Sequence, residues 1–277
     1  MKNYFILSPA KINLTLQVLK KRKDNYHEIY TIFQKIDLFD EIEIRRGVRS
    51  FSLEFFCNVP IPLEENLVYK AYKLFKKNFN IKEDVAIKVK KTIPICAGLG
   101  GGSSNAASVL KGLAYLYGIK VENLYPLAKT LGADVTFFLT PYPSAIGKGI
   151  GDELNPFPNF SAWYVLISPN FQISTKWAYE NLGLTKSKNP IYYTSEIPPW
   201  YQPQGLINDF EPLVFKKYKI LQKYKETLKN LGASAVSLSG TGPSIFAVFD
   251  GDAPFFIYKY LKLLIKDCNI FLVKNWE

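Results

Sequence analysis

Residues 94–107 read Pro-Ile-Cys-Ala-Gly-Leu-Gly-Gly-Gly-Ser-Ser-Asn-Ala-Ala, so four of the five residues from Gly98 to Gly102 are glycine. Upstream, Val85, Ile87 and Val89 alternate with other residues at the period of a strand. Downstream, Ala107, Leu110, Ala114 and Tyr117 recur at helical spacing, which predicts a helix over 103–117. Few folds pass from strand to helix through consecutive glycines. Glycine admits φ > 0 and lets the backbone come close to a ligand. A helix N-terminus offers N–H groups and partial positive charge. Together they make an anion cradle, to which Ser103 and Ser104 add hydroxyls suited to a phosphate oxygen or a magnesium ion. A flexible connector would explain the glycines alone, but not the alanine-rich helix directly behind them. The loop is not of the GxxxxGK[ST] type, because Lys91-Thr92 and Lys129-Thr130 lack the preceding glycine. The GxGxxG spacing and the HRD and DFG triplets of protein kinases are also absent.

Composition narrows the class further. The chain has 277 residues, 48% hydrophobic and 21% charged, which excludes general disorder and allows one large or two ordinary domains. Three widely spaced cysteines (Cys57, Cys96, Cys268) and a single histidine, His27, argue against a zinc site and fit a reducing cytoplasm. The uncharged stretch over 233–249 is short and interrupted by Ser, Thr, Gly and Pro, and the apolar run Tyr4–Leu7 is too brief for a leader. No membrane segment is expected and the localisation reads as cytoplasmic. The net charge of +11 raises the question of nucleic acid. Its distribution answers it. Lysines fall at helical spacings (Lys70, Lys73, Lys76, Lys77; Lys216, Lys219, Lys223) and in the run Lys20-Lys21-Arg22-Lys23, with acids interleaved, as on a solvated surface.

Along the chain, Ile12, Leu14, Leu16 and Val18 alternate with Asn13, Thr15 and Gln17. Further strands are predicted at Ile29–Phe33, Glu41–Ile44, Ser52–Phe55, Trp163–Ile167, Ala235–Leu238 and Ile245–Phe249. Helices are predicted at Leu67–Phe79 (capped by Asn66), Leu124–Leu131, Glu211–Leu231 and Pro254–Ile265. Pro141, Pro143, Pro156 and Pro158 bound a stretch read as irregular. The alternation is α+β in two lobes, divided as 1–156 and 157–277. Tyr192-Tyr193 and Trp200-Tyr201 lie in a proline-rich stretch that either closes over a ligand or packs.

Three motifs in order carry a resemblance. Ser8-Pro9-Ala10-Lys11-Ile12-Asn13, the loop Pro94–Ser104 and the turn Ser239-Gly240-Thr241-Gly242-Pro243-Ser244 resemble those of the GHMP kinases (galactokinase, homoserine kinase, mevalonate kinase, phosphomevalonate kinase). The turn alone would read as a tight hairpin. Tyr26-His27-Glu28, Ile36–Asp40, Glu65–Tyr69, Gly132-Ala133-Asp134-Val135 and Asn208-Asp209-Phe210-Glu211-Pro212 are similar to the branch acting on a cytidine-diphosphate-linked sugar alcohol. The resemblance implies a two-lobed GHMP kinase fold with the active site in the cleft between the lobes. It implies ATP as phosphoryl donor, Mg2+, and phosphorylation of a 2-hydroxyl on the methylerythritol route to isoprenoid precursors. The partner implied is this small molecule, with neither nucleic acid nor membrane.

Residue by residue, Lys11 and Asp134 match the catalytic pair; alone they would read as a strand lysine and a turn carboxylate. Asp134 would accept the hydroxyl proton while Lys11 orients and charge-balances. Pro94, Ala97, Gly98, Leu99, Gly100, Gly101, Gly102, Ser103 and Ser104 match the nucleotide loop, with Ser103 the candidate for magnesium. Tyr26 and His27 match the cytidine-recognising segment, and imidazole and backbone groups suit the donor and acceptors of cytosine. Tyr179 matches the ring that stacks on the base, although a core tyrosine on a helix face is an equal reading. Thr175 and Lys148 are assigned to the substrate and its diphosphate. Asn13 shares the strand face of Lys11 and points to the same site. Gly240, Thr241 and Gly242 lend backbone N–H groups to phosphate or substrate. Three departures stand out: Cys96 where Gly or Ala is usual, Asn25 where Gly is usual, and Thr136 where Pro is usual. The alternatives are another small-molecule GHMP kinase, of the homoserine or mevalonate type, and, from a different class, a basic nucleic-acid binder.

Overall fold

Strand-forming alternation governs the first 48 residues, which form β1 (Asn3–Lys21) and β2 (His27–Val48), joined by an exposed turn. The structure is a computed structural model that describes residues 3–57, 59–184, 187–251 and 253–276. Next come β3 (Ser52–Phe56), α1 (Leu67–Asn78), β4 (Asp84–Lys90), α2 (Gly101–Tyr117), α3 (Tyr125–Leu131), α4 (Ala133–Leu139), β5 (Ser144–Lys148) and β6 (Glu153–Pro156). The chain continues through β7 (Trp163–Pro169), α5 (Thr175–Asn181), α6 (Glu211–Lys217), α7 (Lys219–Asn230), β8 (Ala235–Leu238), β9 (Ile245–Phe249), α8 (Ala253–Leu264) and β10 (Cys268–Lys274). The α+β class is as expected. Among the described residues no helix is long and apolar enough to cross a membrane.

Two compact units are interleaved along the chain. The first comprises the segment up to Ala10, Leu38–Ile95 and Gly100–Pro141; the second comprises Lys11–Asp37, Cys96–Leu99 and the chain from Tyr142 onward. Sequence reading divides the chain once, at 156/157, because residues 11–37 and 96–99 carry no local mark of the unit they join.

In the first unit, residues 41–48 of β2 pair antiparallel with β4, which pairs parallel with β3 on its other edge. The Asn66 side chain accepts from Val68 N, so α1 starts where its cap lies. Val68, Ala71 and Phe75 form the buried face of α1, while Lys70, Lys73 and Lys77 occupy other faces. Alanines and small residues bury α2 on nearly every side, and α1 and α4 pack against it.

In the second unit, the antiparallel sheet β10–β7–β9–β8 is covered by α7 and α8. Val165, Ile167, Leu221, Leu228, Ile245 and Leu261 form its core. Residues 31–34 of β2 pair with β5, and β5 with β6, so a hairpin occupies the proline-bounded stretch read as irregular. Its strands are short and one ends at Pro156, which hides them from periodicity. Ile29–Phe33 and Glu41–Ile44 belong to the single strand β2. The helix predicted at 211–231 is two helices: Tyr218 leaves helical geometry at φ −115°, ψ 75°, and its ring stacks on Phe171 at 5.3 Å.

The proline-rich stretch packs. Gln17 brackets Ile191, donating to its carbonyl at 2.8 Å and accepting from its N–H at 2.9 Å. Gln202 ties down Thr194 and Ile197, and Tyr193 and Trp200 are buried.

Candidate active site

The glycine loop begins in the second unit, against the turn at residues 239–244. Gly98 adopts φ +77°, and a Cβ there would lie 2.1 Å from the Ser239 carbonyl oxygen. Both the left-handed backbone and the close approach demand glycine. Ser239 Oγ donates to Gly98 O at 2.9 Å, and Ser244 N donates to Ala97 O at 3.2 Å. The two glycine motifs, about 140 residues apart, are therefore one construction. Asn208 completes it by donating to the carbonyls of Leu238 and Gly240 at 2.7 and 2.9 Å. Asp209 accepts from Val18 N and Lys188 Nζ, both at 2.6 Å, and Glu211 accepts from Leu238 N at 3.0 Å. The Asn-Asp-Phe-Glu segment thus braces the turn, a role its polar composition does not reveal. Thr175, at the start of α5, lies within hydrogen-bond distance of Thr241 (Oγ1–Oγ1 3.3 Å). Cys96 and Asn25, two of the departures noted, both stand at left-handed backbone, φ +53° and +67°. That explains why glycine suits those positions.

On β1 of the same unit, Lys11 and Asn13 share a face as expected, and Lys11 Nζ donates to Asn13 Oδ1 at 2.6 Å. Lys11 also lies 5.6 Å from the centre of the Phe33 ring. Asn13 Nδ2 donates to Thr31 Oγ1 at 2.8 Å, and Thr31 donates to Thr15 O at 2.6 Å. The face that reads as the polar, outward one is buried: Lys11, Asn13, Thr15 and Gln17 are each less than 5% exposed. A buried polar row survives because its groups satisfy one another.

The cytidine-matching residues also gather here. The rings of His27 and Tyr179 lie 5.0 Å apart, and Tyr179 meets Phe210 edge-on at 4.8 Å. Tyr179 is thus a core neighbour of Phe210 and a ring partner of His27. Burial, with the Lys21 charge second, holds His27 below the ordinary histidine range, so its ring is neutral at neutral pH. Tyr26 is exposed beside it. Ile29 N donates to Gly149 O at 2.8 Å, placing the Gly147-Lys148-Gly149 stretch alongside β2. The Lys148 ammonium stands over Tyr192 at 5.9 Å. Sequence reasoning noted Tyr192 only as part of a stretch that either closes over a ligand or packs, and it missed Thr31. The only available signal was that Thr31 shares the strand parity of Phe33.

In the first unit, α2 starts after Gly100 at φ +69°, and Gly101 packs directly on Ile93 and Lys91: a Cβ would lie 2.9 Å from Ile93 Cγ2 and 3.0 Å from Lys91 Nζ. Ser103 is part-exposed, whereas Ser104 is buried with its Oγ 2.8 Å from Ser8 Oγ. Beneath them lies a closed cluster. Asp40 accepts from Lys91 Nζ, from Asn105 Nδ2 at 2.9 Å, and from the N–H groups of Thr92 and Ile93 at 2.7 and 2.9 Å. Burial pulls the Lys91 ammonium below the usual lysine range, offset in part by Asp40. Asp134 sits part-exposed in the first turn of α4, where a carboxylate is favoured by the helix dipole. Thr136, the third departure, has a buried Oγ1 with no hydrogen-bond partner among the described residues.

A glycine cradle at a helix start and a helix-borne carboxylate in the first unit, and a glycine turn packed on Ala97 and Gly98 and a buried lysine in the second, are groups that suit small-molecule phosphoryl transfer. Models of the GHMP kinases N terminal domain and the GHMP kinases C terminal match residues 66–141 and 200–265. The chain belongs to the GHMP kinases, which take their phosphoryl group from ATP. It is 41% identical to a 4-diphosphocytidyl-2-C-methyl-D-erythritol kinase of Syntrophus aciditrophicus, over 89% of this chain and 90% of that one. It is 37% identical to the protein of that name in Clostridium perfringens, over 87% of each. A crystal structure of 4-(cytidine 5'-diphospho)-2C-methyl-D-erythritol kinase superposes with a TM-score of 0.84 at 30% identity, covering 99% of this chain and 100% of that one. A homoserine kinase from Cytophaga hutchinsonii shares the fold at TM-score 0.72 and 18% identity, covering 100% and 95%.

Proposed function

We propose that this protein transfers the γ-phosphoryl group of ATP to the 2-hydroxyl of 4-(cytidine 5'-diphospho)-2-C-methyl-D-erythritol, on the methylerythritol route to isoprenoid precursors. The observation that carries the substrate assignment is the His27–Tyr179 ring pair with Lys148 and Tyr192 in the same unit as Lys11. A neutral imidazole beside an aromatic ring suits cytosine, and a lysine suits a diphosphate. Homoserine and mevalonate need neither.

Asp134 takes the proton of the 2-hydroxyl as that oxygen bonds to the γ-phosphorus and ADP leaves. Lys11, with Asn13, orients the hydroxyl and offsets developing charge. The transition state is loose, so placement outweighs early deprotonation. Pro94–Ser104 cradles the phosphates through its backbone, and Gly240-Thr241-Gly242 and Thr175 hold substrate or the phosphate in transit. Mg2+ would neutralise phosphate charge. Phosphate oxygens, with a serine of the loop, would hold it. Ser103, part-exposed, is the serine available to it; Ser104 is engaged with Ser8. The division into 1–156 and 157–277 belongs to this reading, with the matched family segments falling on either side.

The test compares ATP turnover with this substrate, homoserine and mevalonate, expecting turnover with the first alone. Comparable kcat/KM with homoserine or mevalonate would overturn the assignment. In Asp134→Asn, both substrates should still bind while kcat falls by roughly 10³-fold or more.

A further inference from the structure

We infer that Thr31 is a positioning residue for Lys11, acting through Asn13, and that Gly147 is glycine to make room for it. The inference rests on the proposed role of Lys11.

A proton inventory carries the argument. A threonine hydroxyl has one hydrogen. Thr31 spends it on Thr15 O at 2.6 Å, so toward Asn13 it can only accept. Lys11, an ammonium, can only donate. Asn13 stands between these two neighbours and has one orientation that satisfies both: Nδ2 toward Thr31 at 2.8 Å and Oδ1 toward Lys11 Nζ at 2.6 Å. The flipped amide would set its oxygen against an oxygen with no hydrogen to give, and its NH2 against an ammonium. Thr31 therefore selects the rotamer state of Asn13 that holds the lysine. All three side chains are almost fully buried, so water does not substitute for the missing partner. An aspartate at 13 would fail for the same reason, since it has no hydrogen for Thr31.

Thr31 is itself held by the sheet. It pairs with Gly147 of β5, and a Cβ at Gly147 would lie 3.0 Å from Thr31 Cγ2 and 2.8 Å from Phe33 Cε2. Phe33 is the ring beneath Lys11. The glycine thus leaves space for both residues that seat the lysine.

The experiment measures kcat, KM for each substrate and thermal melting for Thr31→Val, Thr31→Ser, Asn13→Ala, Thr31→Val with Asn13→Ala, and Lys11→Met. We expect Thr31→Val to lose about tenfold in kcat with KM for ATP unchanged within twofold, measured well below its melting temperature. Thr31→Ser, which keeps the hydroxyl, should return to within twofold of the parent. In the Asn13→Ala background, Thr31→Val should cost less than a further twofold, because its effect passes through Asn13. Normal kcat in folded Thr31→Val, failure of serine to rescue, or additivity with Asn13→Ala each overturns the inference. If Lys11→Met keeps its turnover, the reading of Lys11 fails instead. If Lys11→Met is inactive while Thr31→Val is normal, only the role of Thr31 fails.

Discussion

Two buried polar networks do opposite things. In the first unit Ser8, Asp40, Lys91, Ser104 and Asn105 form a closed cluster in which a carboxylate and an ammonium compensate each other and backbone N–H groups fill the remaining acceptor sites. In the second unit, Lys11, Asn13, Thr31 and Thr15 form a row of neutral amide and hydroxyl groups with a cation at one end. The closed cluster shapes backbone: it fixes the start of α2 and the residues leading into the glycine loop. The row shapes a single side chain. A network that holds backbone should cost stability when broken, and one that holds a reacting group should cost turnover.

Asp40→Ala is the strongest test of that contrast. It strands the Lys91 charge and two backbone N–H groups in the interior, and urea unfolding should show a loss of about 3–5 kcal/mol. Turnover of the molecules that remain folded should fall far less than in Lys11→Met, with the loss mainly in KM for ATP. A collapse of turnover without loss of stability would erase the distinction between the networks.

The next effect tests the proposed role of His27 as a neutral cytosine partner. Its pKa is depressed, so the midpoint of its protonation lies below the ordinary histidine value of about 6.5. KM for the cytidine substrate should be flat from pH 9 to 6.5, then rise by at most about tenfold per pH unit, while KM for ATP stays level. A rise beginning above pH 7 would contradict a neutral imidazole as the cytosine partner.

Smaller changes probe two of the three departures, none of which belongs to either network. Thr136→Val removes a buried hydroxyl without a partner among the described residues and should raise stability by about 1 kcal/mol, measured by urea midpoint. Cys96→Gly relieves left-handed backbone, about 1–2 kcal/mol, against the greater flexibility that glycine gives the unfolded chain. The net gain should be only a few tenths of a kcal/mol, visible as a small rise in Tm.

Much of the chemistry was legible before any fold was known, because phosphate binding demands a local pattern. Gly98–Gly102 declares itself between a strand and a helix, and Lys11 and Asn13 declare a shared face by parity. What stayed hidden was non-local. Alternation in β1 marked Asn13, Thr15 and Gln17 as a polar face, and such a face ordinarily meets solvent; here other strands and the 190–204 stretch bury it. The break at Tyr218 was hidden too, since Glu211–Leu231 keeps helical spacing across it and the ring on which Tyr218 stacks, Phe171, is far away in sequence.

The charge of +11 has a similar lesson. The run Lys20–Lys23 is exposed, and Lys20 and Arg22 pair with Glu28 and Asp24 at 2.9 Å. The cations that matter to the site are few, and total charge does not single them out.

By itself the sequence determined most of the element types, the nucleotide loop, the residues that match a catalytic pair and the family to which the chain belongs. Each of these is written in residues close together or in motifs with a fixed order. Only the tertiary structure decided that the two glycine motifs form one construction, that His27 meets Tyr179, and that Asn13 has one orientation available. Those facts depend on contacts between residues far apart in the chain and on how many hydrogens each partner has to give, and no local pattern records either.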